Sequence, residues 1–314
     1  MMQFGGYCRP ATLAEAVARC SQAGTIPFAG GTDLMVKARS RTQYRDKTIV
    51  DIGGLAELAM IRDEGGRLSV GAAVTLTELL NSRAVRDTAS LLWQSASHAA
   101  NRQVRNRATL AGNLANACPA SDCIPALMVL GASVTAQGPE GRREIPLREL
   151  FRSCEACLRH AGMQVRTCYF LETATKKLTL RPGELIVSVE VPKQPTEERS
   201  LFYKLTENQS AGMAVLNFAM AGSLGPDGRV ATFRVCPGGA FPRPRCFPEE
   251  ENPLIGQLPE QARFAEIAGE IARALGEEEQ TLADYGYKSR VLPEIIHDGM
   301  AQIFCGIPME GAEA

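Results

Sequence analysis

The chain has 314 residues, and its 34 Lys and Arg nearly balance its 35 Asp and Glu, leaving a formal net charge of -1. That length allows two or three compact lobes, and the balanced charge argues against nucleic acid as the main partner, because phosphate binding needs clustered Lys and Arg. No apolar run reaches the roughly 18–20 residues that span a bilayer, and the opening Met1-Met2-Gln3-Phe4 carries no secretory pattern, so a cytoplasmic protein without a membrane span is expected.

In chain order, residues 11–23 predict a helix with Thr12 as its cap, Glu15 at the capping-box position and an apolar stripe of Leu13, Ala16, Val17 and Cys20. Thr25–Ala29 predicts a short strand, Asp33–Ala38 a helix and Thr48–Asp51 another strand. This alternation suggests a first lobe over residues 1–55. Ala59–Arg62 and Arg67–Gly71 predict strands around Asp63-Glu64-Gly65-Gly66. Helices follow at Leu76–Asn81 behind Thr75, at Ala89–Ala100 and at Cys123–Leu130. Ser133–Ala136 and Arg143–Pro146 predict a hairpin, and Glu184–Val191 a strand closed by Pro192. A second lobe is therefore drawn over 56–199. A third unit, 200–308, is expected to hold strands at Ala214–Ala221 and Arg229–Val235 and helices at Leu258–Leu275 and Tyr287–Cys305, with residues 309–314 as a tail.

Two segments carry chemistry. Phe28-Ala29-Gly30-Gly31-Thr32-Asp33 and Thr109-Leu110-Ala111-Gly112-Asn113 both read as tight turns. Glycines let backbone approach a ligand, and successive N–H groups in a turn form a nest for anionic oxygens. Two such turns can clamp one pyrophosphate. The three histidines, His98, His160 and His297, stand in no zinc spacing, and no Gly-x-Ser-x-Gly elbow is present, so hydrolase signatures are missing. No Gly-x-Gly-x-x-Gly follows a first strand, which excludes a Rossmann fold.

Ala29-Gly30-Gly31-Thr32-Asp33, then Gln103 through Asn113, Ser121-Asp122 and Arg181-Pro182-Gly183-Glu184-Leu185-Ile186, stand in the order and spacing of a known family. In these motifs the chain resembles the FAD-binding medium subunit of the molybdenum hydroxylases, the xanthine dehydrogenase and carbon monoxide dehydrogenase type, over nearly its whole length. The resemblance implies an α+β fold: a two-lobed FAD-binding domain of the vanillyl-alcohol-oxidase/xanthine-dehydrogenase type plus a C-terminal α+β domain. It implies FAD extended between the first two lobes. Ala29, Gly30, Gly31, Thr32, Asp33 and Leu34 then match the first pyrophosphate turn, and Thr109, Ala111, Gly112 and Asn113 the second. Ser121 and Asp122 match a pair near the ribityl chain, Ile186 an apolar residue beside the flavin ring, and Lys204 a lysine on the flavin and nicotinamide side. Asp33 reads equally as a helix cap, and both roles can hold at once. Ala111 stands where the family has glycine, a change that is tolerable where φ is negative.

The same resemblance implies an oxidoreductase subunit that takes electrons from iron–sulfur centres to FAD and on to NAD or another acceptor. Its partners would be a large subunit with the molybdenum cofactor and a small [2Fe–2S] subunit. No residue of this chain is then needed as a catalytic acid or base. Cys154, Cys157 and Cys168 lie in an apparent insertion over about 152–169, and a Cys-x-x-Cys with a third Cys suits a [4Fe–4S] cluster, zinc, or no metal at all. Cys118, Cys123, Cys236 and Cys246 are candidate fourth ligands. A flavin-less wiring subunit and a stand-alone FAD oxidoreductase are the alternatives.

Overall fold

Local rules set the first elements. In the computed structural model, which describes residues 4–40, 42–151, 178–207, 212–241, 244–277 and 285–309, α1 spans Leu13–Cys20, and the Thr12 side chain accepts from the Glu15 N–H. Glu15 reaches back to the Ala11 N–H at 2.9 Å, one residue earlier than a reciprocal capping box would. β1 (Gly6–Cys8), β2 (Thr25–Phe28) and β3 (Thr48–Asp51) form a parallel sheet in the order β1-β3-β2, with α2 (Leu34–Ser40) following β2.

The second sheet has five antiparallel strands in the order β4-β5-β8-β6-β7: β4 (Ile61–Asp63), β5 (Arg67–Gly71), β6 (Ser133–Gly138), β7 (Gly141–Pro146) and β8 (Leu185–Pro192). β8 joins last and sits centrally, and it reads as a nearly continuous apolar run because it is buried along its length. Helices cover one face. α3 (Leu76–Asn81) begins with a complete capping box between Thr75 and Glu78; α4 (Arg83–Thr88), α5 (Ser90–His98), α6 (Arg102–Arg105), α7 (Leu110–Asn116), α8 (Cys123–Val129) and α9 (Leu147–Leu150) follow.

The third sheet is antiparallel, in the order β11-β10-β9: β9 (Arg199–Thr206), β10 (Ala214–Leu224) and β11 (Val230–Gly238). α10 (Gln261–Glu277) and α11 (Tyr285–Met300) pack together beside it. α10 starts three residues later than its apolar spacing predicts, and Leu258 is accordingly exposed. One apolar cluster joins the first two sheets through Val50, Leu68, Val134 and Val189. A second fills the third unit around Phe218, Phe233, Phe264 and Leu292. α8 touches both β10 and β11, which ties the units together. No helix among the described residues is long and apolar enough to cross a membrane.

Candidate functional site

The first glycine turn leaves the carboxyl end of β2. Gly31 has φ +71°, a conformation that L side chains rarely adopt. A Cβ on Gly30 would stand inside the Arg107 carbonyl and against Ala108, so the turn lies directly on the segment that leads into Thr109. On its other side it meets the bend after β3, where Ile52 N–H donates to the Phe28 carbonyl at 2.8 Å. Among the described residues, the backbone N–H groups of Gly30, Gly31, Thr32 and Asp33 donate to no protein acceptor. Four free donors on successive residues form a nest for anionic oxygens.

The Asp33 carboxylate does not cap α2. It pairs with Lys37 Nζ one turn on, at 2.7 Å, and Lys37 also donates to Asn116 Oδ1 at 2.6 Å. Lys37 is 4% exposed. The end of α7 is thereby tied to α2, across the two lobes.

The second segment is not a free turn but the start of a helix. Thr109 is the N-cap of α7, and its hydroxyl accepts from the Gly112 N–H at 3.0 Å. Residues 108–110 are held against 74–76: Leu76 N–H donates to the Ala108 carbonyl at 2.8 Å, and Thr75 bridges Thr109. Ala111 has no positive φ and packs into the core at 4% exposure, so its methyl is tolerated. From α7, Asn113 accepts a short hydrogen bond from the Ser121 hydroxyl.

Asp122 opens α8 and is buried. Its Oδ2 takes Lys204 Nζ at 2.7 Å, its Oδ1 takes Asn217 Nδ2 at 2.9 Å, and Lys204 also donates to the His98 carbonyl at 2.9 Å. Burial pushes the Asp122 carboxyl above the usual carboxylate range, while Lys204, Asn217 and the His98 charge pull it back. Desolvating two charges is repaid only by such geometry.

The expected residues therefore run as one line: Ala29 to Leu34, then 107–108, Thr109 to Asn113, Ser121, Asp122 and Lys204. Ile186 is buried in β8, the strand against which α7 packs. Lys37 and Asn217 were missed by sequence reasoning. Lys37 had a weak signal in its i,i+4 spacing from Asp33; Asn217 had none. A groove of about 810 Å3 lies elsewhere, on the uncovered face of the five-stranded sheet, and holds none of these residues. Its floor is Glu190, to which Ser69, Thr135 and Ser188 all donate.

Cys154, Cys157 and Cys168 lie outside the described residues. Cys123 and Cys236 are fully buried, and burial pushes the Cys123 thiol to about 12 and the Cys236 thiol well above its usual value. Among the described residues, no three His, Cys, Asp or Glu side chains are grouped to hold a metal.

A family model described as the FAD binding domain in molybdopterin dehydrogenase matches residues 2–194. The chain is 29% identical over 254 residues to the nicotinate dehydrogenase FAD-subunit of Eubacterium barkeri, covering 80% of this chain and 79% of that one. It is 29% identical to the xanthine dehydrogenase FAD-binding subunit of Escherichia coli O157:H7, with 80% of each chain covered. Among solved structures it is similar to carbon monoxide dehydrogenase from Hydrogenophaga pseudoflava, with a TM-score of 0.82 at 23% identity over 98% of this chain and 99% of that one. Quinoline 2-oxidoreductase from Pseudomonas putida 86 gives 0.81 at 22% identity, over 96% of this chain and 97% of that one. At those identities the likeness carries the fold.

Proposed function

From the premise that the chain belongs to the family of FAD-binding domains in molybdopterin dehydrogenase, and is thus an oxidoreductase subunit, we propose that it receives electrons from the iron–sulfur centres of partner subunits and passes them through FAD to NAD or another acceptor. The proposed partners are a large subunit with the molybdenum cofactor and a small [2Fe–2S] subunit. The name of the Eubacterium barkeri relative, an FAD-subunit, supports a multi-subunit assembly.

The observation that carries the reading is the run of free N–H groups from Gly30 to Asp33, set on the segment that enters Thr109. It fits a pyrophosphate held by backbone donors, which needs no cationic side chain. FAD supplies reversible two-electron chemistry when bound. The chain's own residues do the rest. Gly30 to Asp33 bind phosphate oxygens, Asp33 is oriented by Lys37, and Thr109 fixes the start of α7. Lys204 and Asp122 present a paired cation and carboxylate on the proposed flavin side, and Ile186 supplies an apolar neighbour for the ring.

The test is FAD content after replacing Gly30→Val and Gly31→Val together. A Cβ at Gly30 meets the Arg107 carbonyl, and one at Gly31 meets the Phe28 ring with φ +71°. The double variant is expected to purify without flavin absorbance; a folded double variant that keeps its FAD would refute the pyrophosphate assignment.

The Cys154, Cys157 and Cys168 spacing supports a [4Fe–4S] cluster in the same subunit, because soft thiolates suit iron. Iron assay of the anaerobically purified chain checks it, and roughly four irons per chain are expected. An iron-free, flavin-loaded chain would leave these cysteines to packing.

A further inference from the structure

Three strands of the third sheet bring one row of residues against α8. Asn217, in the middle of β10, is the register partner of Lys204 on β9 and of Gly238 on β11. Asp122 and Pro125, in the first turn of α8, lie on this row: Asp122 meets Lys204 and Asn217, and Pro125 lies over Gly238.

Asn217 is completely buried. Its Nδ2 donates to Asp122 Oδ1 at 2.9 Å and to the Ser121 carbonyl at 3.2 Å, so both amide hydrogens are used on the residue pair that opens α8. Its Oδ1 has no hydrogen-bond partner among the described residues and lies over Gly238, where a Cβ would collide with it. A buried acceptor without a partner carries a desolvation cost that a leucine, of similar branched shape, would avoid. Core stability alone therefore does not call for asparagine here; the two donated bonds do.

We propose that Asn217 is the positioning residue of the Lys204–Asp122 pair: its amide pins the Asp122 carboxylate opposite Lys204, so that the flavin side of the site faces a neutral pair and not a lone ammonium. The inference rests on the reading of Lys204 as a flavin neighbour. Without the amide, Asp122 loses one of the two side chains that donate hydrogen bonds to it in a buried setting, and Lys204 loses its fixed counter-charge. An uncompensated cation favours the more negative, reduced flavin. Gly238 belongs to the same device, since only glycine leaves room for the amide in this rotamer.

The experiment uses the whole flavin-loaded complex. Wild type, Asn217→Leu, Asp122→Asn and the double variant are compared by flavin midpoint potential, FAD content and Tm. Both single variants are expected to move the potential positive, by about tenfold in the reduction equilibrium, or about 30 mV for a two-electron couple. The double variant is expected to show less than the sum, because the two residues act through one pair. A lowered Tm with an unmoved potential in flavin-loaded Asn217→Leu would reduce Asn217 to packing and overturn the proposal, whatever Asp122→Asn does. Should Asn217→Leu not fold, Asn217→Ala, which removes the same amide without adding bulk, carries the same comparison. A wild-type complex without flavin would instead overturn the FAD reading itself, before any variant is compared.

Discussion

Gly31 is legible in the sequence because its constraint is local, a turn with φ +71° that favours glycine wherever it occurs, whereas Gly30 is required by the close approach of the Arg107 carbonyl. Lys37 was hidden because its role depends on α7, seventy-nine residues away. The Asp33–Lys37 contact gives a graded prediction. Removing Asp33 leaves a lysine that is 4% exposed without its carboxylate, whereas removing Lys37 leaves an aspartate still 27% exposed to water. Asp33→Ala should therefore lower the stability of the flavin-free chain by about 3 kcal/mol and Lys37→Met by about 2 kcal/mol, read as denaturant midpoints. Equal losses would mean that the ion pair with Asp33 is not what compensates the buried Lys37 ammonium. Thr109→Ala removes a side-chain cap and should cost about 1 kcal/mol; Thr109→Ser should restore it.

Elements with their own punctuation were read well. Thr48–Asp51, Arg67–Gly71 and Leu76–Asn81 stand where the sequence placed them, each bounded by a turn or a cap. β9 was not anticipated, because Arg199–Thr206 mixes charged and apolar residues and earns its place by pairing with β10. From sequence α7 reads as a turn, since its glycine and small residues hide a helix that Thr109 and the neighbouring β8 stabilise. The entry to β8 has a pH-sensitive anchor. Arg143 holds Glu184 through two contacts of 2.7 Å, and the Arg181 N–H adds a third bond of 2.7 Å. Arg143 lowers the Glu184 carboxyl below its usual range. The folded value thus lies below the unfolded one, near 4.3. The stabilisation is complete above that unfolded value and is lost as pH falls through the folded value. Tm should fall more steeply with acidification in the wild type than in Glu184→Gln, the two curves converging at low pH; parallel curves would exclude this anchor.

At the scale of the whole molecule, the third unit meets the second lobe where α8 touches β10 and β11, and Asp122, Lys204 and Asn217 lie in that contact. The fold class was legible because its motifs fall in one order along the chain. The joining of the units is not, because it brings α8 onto β10 and β11 and pairs residues eighty-two apart. The family to which the chain belongs binds FAD. The most direct measurement is flavin quantitation, by absorbance and by mass after release, on the wild-type chain purified without added cofactor. About one FAD per chain is predicted. A folded chain with neither bound flavin nor affinity for added FAD would show that the two turns do not form a flavin site.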